Sequence, residues 1–225
     1  MTTESYIFLA GASRGVGREI ANYLTKHNQK VKAMLRSPSS QPELEAMGVE
    51  VVIADAFDRE SVEKVMLADK PPLAIISTIG GVPKQEQRPD YIGNKNLIDA
   101  AVKAKVEKFI LITSIGTAES AAALNEQALS TLGKVLKEKE KAEKHLTESG
   151  LTYTIIRPGG LKSEPATGNG ILTENYKVAG TIHRADVAKL TCECLYSQAA
   201  NNKILSAVDR NMMYFQTDFE EFKLK

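Results

Sequence analysis

Three glycines, Gly11, Gly15 and Gly17, separate a short apolar run from a segment of helical character. Their G-x-x-x-G-x-G spacing permits a tight turn off a strand, a close approach of backbone to a pyrophosphate, and a helix packed tightly on a sheet. The free N–H groups at the start of that helix would attract the phosphates. A plain tight turn is the alternative. The residues predicted here to bind a dinucleotide are Gly11, Ala12, Ser13, Arg14, Gly15, Val16 and Gly17.

An arginine follows the second apolar run, where NAD-binding folds place an acidic residue for the ribose 2′-hydroxyl. Arg36, with Ser37 beside it, would instead attract a 2′-phosphate, and Arg14 could join it. Guanidinium groups suit phosphate because they offer paired N–H donors. Two solvated surface charges are the alternative. The pattern favours NADP(H) over NAD(H) as the cofactor.

Two further strand ends carry candidate cofactor contacts. Asp55, with Ala56, follows the third predicted strand, where a carboxylate can accept a hydrogen bond from the adenine amino group. Its alternative role is to cap the next helix, although Asp58 is the better cap. The fourth strand ends in small residues that would let a ribose pass close to the backbone, or that form a glycine turn. They are Thr78, Ile79, Gly80 and Gly81.

Apolar β-branched runs alternate with longer helical patterns along the whole sequence. The runs are continuously apolar, which indicates strands covered on both faces, as in a parallel sheet. Strands are predicted at residues 6–10, 30–35, 49–54, 73–78, 108–113, 152–156 and 203–208, and helices at 18–27, 59–67, 91–104, 134–149 and 184–196.

Repeated β-α units predict an α/β fold, a Rossmann-like doubly wound parallel sheet of about seven strands. No linker or repeat divides the sequence, so we expect a single domain over residues 1–225. Three irregular stretches follow strand ends, where open α/β sheets bind ligands. These substrate-side loops are residues 80–90, 116–131 and 161–180.

Composition excludes several classes of protein. The sequence contains 29 lysines and arginines and 28 acidic residues, which gives a net charge of +1. Because it is not basic, we expect no nucleic-acid partner. No apolar stretch approaches the roughly eighteen residues of a membrane span, and no secretory signal is evident. Cys192 and Cys194 point away from each other on a helix, so we expect neither a disulfide nor a metal site. We therefore expect a cytoplasmic protein that is not membrane-embedded, a monomer or weak homodimer.

Four motifs together resemble the short-chain dehydrogenase/reductase superfamily. They are GASRGVG, FILITSIG, KAEKHLTESGLTYTIIRPGGL and IHRADVAKL, which span nearly the whole sequence. The resemblance is to the atypical NAD(P)H-binding branch, which contains biliverdin reductase B-like (flavin reductase-like), NmrA-like and Tic62-like proteins. The first motif is specific for nucleotide binding, and none identifies a substrate.

The resemblance implies roles for a serine and a lysine. In the wider superfamily, a serine after the fifth strand joins a Tyr-x-x-x-Lys pair, in which the tyrosine acts as acid or base. Ser114, after Thr113, matches the serine and Lys139 the lysine, but Val135 occupies the tyrosine position. Ser114 would then hydrogen-bond the nicotinamide amide or the acceptor, and Lys139 the nicotinamide ribose.

The missing phenol restricts the reaction. Hydride reduction of a ketone produces an alkoxide, which needs a nearby acid. A flavin, a linear tetrapyrrole or a quinone spreads the charge through a conjugated system, and solvent can supply the proton. The resemblance therefore implies a reductase of such small-molecule acceptors and argues against alcohol dehydrogenases and epimerases.

Two interpretations are possible for several of these residues. Lys139 lies on an apolar helical stripe. Its side chain either faces inward, where it could bind a ribose, or extends past Leu136 to solvent. By resemblance, Pro158, Gly159 and Gly160 flank the nicotinamide; alternatively they only end a strand.

Three other features are predicted to be structural or to be weak site candidates. They are an Arg157–Asp186 ion pair, His183 as a weak site candidate, and residues 214–225, which pack on their own domain or dock a partner.

A second class of function is left open by the same residues. The likeness to NmrA-like and Tic62-like proteins also allows a non-catalytic NADP(H) sensor or assembly factor, which the missing tyrosine fits equally well.

Overall fold

The computed structural model describes residues 5–68, 70–81, 87–215 and 218–225. Within these ranges, strands and helices alternate as the sequence predicts up to residue 158, after which three short strands come before the last helix. The strands are β1 (Ile7–Ala10), β2 (Val31–Leu35), β3 (Glu50–Ile53), β4 (Ala74–Ser77), β5 (Lys108–Ile112), β6 (Thr152–Pro158), β7 (Gly160–Lys162), β8 (Gly170–Thr173), β9 (Thr181–His183) and β10 (Lys203–Asp209). The helices are α1 (Gly15–Lys26), α2 (Gln41–Ala46), α3 (Arg59–Leu67), α4 (Ile92–Ala104), α5 (Glu126–Thr147) and α6 (Arg184–Tyr196).

Eight strands form one sheet in the order β3-β2-β1-β4-β5-β6-β10-β8. All neighbours are parallel except β10 and β8, which are antiparallel. The strand order reverses between β1 and β4, and in such sheets a crevice opens at that point, beyond the carboxyl ends of the strands. The predicted Rossmann-like, doubly wound architecture is confirmed, with an edge strand β8 that was not predicted.

Two apolar layers cover the two faces of the sheet. Ile7 and Leu9 of β1 belong to a core cluster with α1 and α6, whereas Phe8 and Ala10 belong to the cluster of α3, α4 and α5. Because successive residues of a strand point to opposite faces, a continuously apolar strand fits between two helical layers.

The predicted loops are more ordered than expected. Asn125 caps α5 by accepting a hydrogen bond from the Ala128 amide, so the helix begins at Glu126, well before the predicted residue 134. A 3-10 helix spans Ala118–Ala123, and β8 lies inside the predicted loop 161–180. Of the loop 80–90, residues 82–86 lie outside the described ranges.

The carboxyl-terminal residues 218–225 pack on their own domain. The Phe222 amide donates to the Leu172 carbonyl of β8 at 2.7 Å, and the Ser197 hydroxyl donates to the Leu224 carbonyl at 2.6 Å. Phe222 and Leu224 pack against the apolar core. Of the two interpretations of the terminal segment, the structure supports self-packing for residues 218–225, whereas the side chains of Tyr214 and Phe215 are exposed.

The predicted Arg157–Asp186 ion pair is wrong. Arg157, only 2% exposed, instead donates from Nη2 to Glu143 Oε2 and from Nη1 to Glu119 Oε1, both at 2.6 Å. Asp186 accepts from the backbone amides of Thr167 and Gly168 at 2.8 and 2.9 Å. A buried guanidinium needs a carboxylate close by, and Glu143 is the one that α5 places over the end of β6.

Both cysteines are buried thiols with a pKa of about 12, because burial disfavours the thiolate. At pH 8 about one thiol in ten thousand is then ionised. We expect neither Cys192 nor Cys194 to react with a thiol reagent within minutes in the native protein, and both to react in denaturant. Counting labelled thiols by mass spectrometry checks this, and rapid native labelling would contradict the burial.

Candidate functional site

A cleft of about 730 Å³ lies at the carboxyl ends of the parallel strands. A second groove, of about 830 Å³, runs between α6 and the carboxyl-terminal residues, and none of the predicted site residues line it. The cleft instead brings together most of those residues, although their roles stay predictions. The predicted residues that line it are Gly11, Ser13, Arg14, Gly15, Val16, Gly17, Arg36, Ser37, Asp55, Ala56, Thr78, Ile79, Gly80, Gly81, Thr113, Lys139 and Pro158.

The glycine loop depends on the absence of side chains. Gly11 and Gly15 have φ angles of +95° and +57°, in the region that favours glycine. A Cβ atom on Gly17 would collide with the Gly11 carbonyl oxygen and lie 2.6 Å from Thr78 Oγ1. One on Gly11 would lie 2.5 Å from the same Thr78 oxygen. Helix α1 is therefore packed directly against the end of β1.

The amino terminus of α1 is open to an anion. Arg14, its capping residue, provides no side-chain hydrogen bond, and the first turn holds no acidic residue. Arg18 braces the loop from behind by donating to the carbonyls of Ala12 and Ser13, and Glu43 pairs with it at 2.5 Å. The free backbone N–H groups and the helix dipole favour a phosphate there.

Three arginines line the cleft without an acidic partner in the described part of the protein. They are Arg14, Arg36 and Arg184. The Arg184 guanidinium donates to Ser163 Oγ at 2.7 Å, and its Nε would lie 3.6 Å from a Cβ on Gly15. Arg184 was not predicted as a site residue. Unpaired guanidinium groups are well suited to phosphates.

Asp55 lines the cleft at the end of β3. Its Oδ1 accepts the Phe57 amide at 2.9 Å, while Asp58 accepts the Glu60 and Ser61 amides and caps α3. The prediction that Asp58 is the better cap is therefore confirmed. The Asp55 side chain is instead held by the hydrogen bond from the Phe57 amide within its own turn. The Asn96 amide donates to the Ala56 carbonyl at 2.8 Å and fixes the neighbouring backbone.

The other end of the cleft is built by β4, β5, β6 and α5. Lys139 lines it with 15% of its side chain exposed, and its Nζ lies 3.1 Å from Asp90 Oδ1. The lysine therefore faces inward and does not extend to solvent. Thr113 donates its hydroxyl to Glu143 Oε1 at 2.6 Å, which joins the cleft floor to the buried Arg157.

Four predicted residues do not line the cleft. Ala12 is fully buried behind the loop. The Ser114 hydroxyl donates to the Ile115 carbonyl at 2.9 Å. Gly159 and Gly160 pack against Gly180 of the neighbouring chain segment. These placements leave the proposed roles of the four residues untested.

His183 and Val135 also lie outside the lining of the cleft. His183 is 6% exposed, and its Nδ1 lies 2.5 Å from the Pro165 carbonyl, so the ring is a satisfied buried group. Val135, at the tyrosine position of the wider superfamily, is half-buried on α5. No tyrosine is among the described residues that line the cleft.

Arg88, Asp90 and Arg184 are cleft residues that sequence reasoning missed. Arg88 and Asp90 lie at the end of the predicted substrate-side loop 80–90, just before α4, but neither residue was singled out within that loop. Arg184 begins α6 in the IHRADVAKL motif, in which only His183 and Asp186 were considered as candidate residues.

The fold and the cleft together define a nucleotide-binding protein of the doubly wound class. A sequence profile described as NAD(P)H-binding matches residues 11–198. The chain belongs to this NAD(P)H-binding family, and the resemblance to the atypical short-chain dehydrogenase/reductases is confirmed.

Relatives with named activities span most of the chain. The structure is similar to ChuY, an anaerobilin reductase from Escherichia coli O157:H7, with a TM-score of 0.84, 32% identity, and coverage of 95% of this chain and 100% of that one. Sanguinarine reductase of Eschscholzia californica is 29% identical, over 88% of this chain and 86% of its own. The chloroplastic protein TIC 62 of Arabidopsis thaliana is 34% identical, over 91% of this chain but 36% of its own. The two reductases among these relatives, together with the family match, indicate NAD(P)H-dependent oxidoreductase activity.

Among the described residues, no helix combines the length and apolar character that a membrane crossing requires.

Replacing Gly17 by alanine tests the packing of α1 on β1. We expect the collision with the Gly11 carbonyl to lower the free energy of unfolding by about 1–3 kcal/mol and to weaken nucleotide binding, because the loop must shift. Urea denaturation and dinucleotide titration measure the two effects. Gly133→Ala on α5, where a Cβ would meet nothing within 4 Å, is the matched control and should change stability by less than about 1 kcal/mol. Equal effects of both variants would contradict the argument.

Proposed function

We propose that the protein is an NADPH-dependent reductase that transfers hydride to a planar conjugated acceptor. The observation that carries this proposal is the distribution of groups in the cleft. Arginines without acidic partners lie at the end of β2 and in the glycine loop, and no phenol lines the described part of the cleft. The unpaired arginines are suited to bind a 2′-phosphate. The lack of a phenol is compatible with an acceptor whose reduction does not need a tyrosine as general acid.

The residues fit such a cofactor. Gly11 and Gly17 leave no room for a Cβ, so α1 begins directly against the end of β1, and Gly15, which lines the cleft, is the glycine at which the backbone can come close to a pyrophosphate. In this proposal, Arg36 and Arg14 hold the 2′-phosphate, Asp55 orients the adenine, and Arg184 faces the pyrophosphate. When bound, NADPH supplies the hydride.

The protein's own contribution would be orientation and exclusion of water. Lys139 would hold the nicotinamide ribose, and Ser114 would bind the nicotinamide amide or the acceptor, which requires its hydroxyl to turn from the Ile115 carbonyl. Effective orientation of two reactants removes much of the entropic part of the barrier. Two relatives are named as reductases of anaerobilin and of sanguinarine. A flavin, a linear tetrapyrrole or a quinone is accordingly the acceptor class that we propose.

A second function is favoured by the likeness to TIC 62, together with Ser114, which does not line the cleft and donates its hydroxyl to the Ile115 carbonyl. In that case, the protein binds NADP(H) as a sensor or assembly factor without turnover. The cytoplasmic location stays a prediction, since that relative is chloroplastic by name.

Arg36→Ala tests the cofactor. We expect the variant to bind NADPH about 10–100-fold more weakly and NADH unchanged, because only NADPH carries the phosphate that the guanidinium would pair with. Fluorescence titration of each nucleotide measures the affinities. Arg59→Ala removes an exposed arginine outside the cleft that pairs with Glu63, and should change neither. Wild-type protein that binds NADH as tightly as NADPH would refute the assignment.

Steady-state oxidation of NADPH with FMN, FAD, biliverdin and simple quinones tests the reaction. We expect turnover above background with at least one acceptor, and a loss of about tenfold in kcat/KM for Ser114→Ala. Thr147→Ala, which removes an exposed hydroxyl at the end of α5, outside the cleft and the predicted substrate-side loops, is the matched control and should retain the full rate. Background rates with every acceptor, alongside tight NADPH binding, would favour the sensor.

A further inference from the structure

Asp90 is a fully buried carboxylate at the edge of the candidate cofactor cleft. Its side chain has 0% exposure, and the residue lines the cleft just before α4 begins. A buried carboxylate is costly unless cations and hydrogen-bond donors surround it. Neither the sequence motifs nor the proposed reaction gives this residue a task.

Two cations and one amide surround the Asp90 carboxylate. Lys139 Nζ lies 3.1 Å from Oδ1, and Arg88 Nη2 lies 3.0 Å from Oδ2. The Gly81 amide donates to Oδ2 at 2.8 Å. Oδ1 accepts no hydrogen bond from the described residues, so its contact with the Lys139 ammonium is an ion pair without a well-aligned hydrogen bond.

The backbone that carries Asp90 is itself held in place. The Asn94 side-chain amide donates to the Asp90 carbonyl at 2.7 Å and accepts from the Ser77 hydroxyl at 2.6 Å. Ser77 ends β4, so the carboxylate is tied to the sheet. A Cβ on Gly80 would lie 3.1 Å from Asp90 Oδ1 and 3.5 Å from Lys139 Nζ. The ammonium is therefore fixed close to bare backbone at the end of β4.

We propose that Asp90 is a positioning residue, which fixes the Lys139 ammonium beside Gly80 through their ion pair, so that its N–H groups meet the nicotinamide ribose of the cofactor. The inference rests on the cofactor proposed above and assigns a new residue to that site. A lysine side chain alone has large rotamer freedom, and a pre-oriented donor loses less entropy on binding.

Charge alone would give the opposite result. The described lining of the cleft holds five cationic residues, Arg14, Arg36, Arg88, Lys139 and Arg184, against two acidic ones, Asp55 and Asp90. Neutralising Asp90 makes the cleft more positive and should tighten binding of a phosphate-rich ligand if only the overall potential matters. Loss of positioning should instead weaken binding, and only for ligands that reach Lys139.

The test compares Asp90→Asn with Lys139→Met by fluorescence titration of NADPH and competition with adenosine 2′,5′-bisphosphate. The bisphosphate carries the 2′-phosphate half of the cofactor and lacks the nicotinamide ribose. We expect each variant to bind NADPH about tenfold more weakly and the bisphosphate unchanged. The double variant should be no weaker than either single one, because the two residues act as a unit.

Asp99→Asn is the matched control. Asp99 lies on α4, pairs with Lys95 and His145, and does not line the cleft, so the same charge change there should leave both affinities unchanged. Unchanged or tighter NADPH binding by Asp90→Asn would overturn the inference, as would additive losses in the double variant. If the Asp90→Asn variant does not fold, the Lys139→Arg variant tests the inference in its place. Its guanidinium still reaches Asp90 and should keep NADPH affinity within about threefold, whereas a loss equal to that of Lys139→Met would overturn the inference.

Different results would refute the role of Asp90 and the assignment of NADPH as the cofactor. Equal affinity of the wild-type protein for NADH and NADPH would refute the cofactor assignment, and the same variants could then be titrated with NADH. Equal affinity of the wild-type protein for NADPH and the bisphosphate would refute a held ribose and leave NADPH as the cofactor.

Discussion

The contact of Gly17 with the Gly11 carbonyl and the Thr78 hydroxyl is the constraint on which the candidate site depends. Thr78, just after β4, donates to the carbonyls of Gly11 and Ala10, and so ties β4 to the turn that leaves β1. Because no Cβ separates them, the start of α1 and the ends of the two central strands meet at the point where the strand order reverses. A phosphate-sized space with free N–H groups follows from this packing.

The charges of the cleft are separated along its length. Arg14, Arg36 and Arg184 have no carboxylate partner among the described residues and lie around the glycine loop and its neighbours. At the other end, Lys139 is paired with a buried acid, and a second buried pair, Arg157 with Glu143, lies beneath Thr113. One end is therefore suited to attract a mobile anion, while the other fixes its cations in one geometry.

Sequence reasoning predicted the seven parallel strands of the central sheet and five of the six α-helices in the described residues, because continuous apolar runs and helical stripes are local signals. It missed α2 and the short strands β7, β8 and β9, and began α5 too late. The strands depend on tertiary context, because β8 is held by antiparallel pairing with β10 and β7 by pairing with β9. The first turns of α5 are largely exposed, so they lack the apolar stripe by which the helix was predicted. The glycine loop and Arg36 could be predicted since each follows from its neighbours in sequence.

The remaining parts of the site are pairings across the fold, and these have no local signature. Arg157 was assigned the wrong acid because Asp186 and Glu143 are equally plausible in sequence, and only the position of α5 over β6 selects Glu143. Lys139 matched a family position, yet its partner comes from the residues before α4. By resemblance, Val135 stands where the wider superfamily has a tyrosine, and no tyrosine lines the described part of the cleft. The ionic partner of Lys139 is instead the buried carboxylate of Asp90, which therefore determines where the charge of the lysine lies.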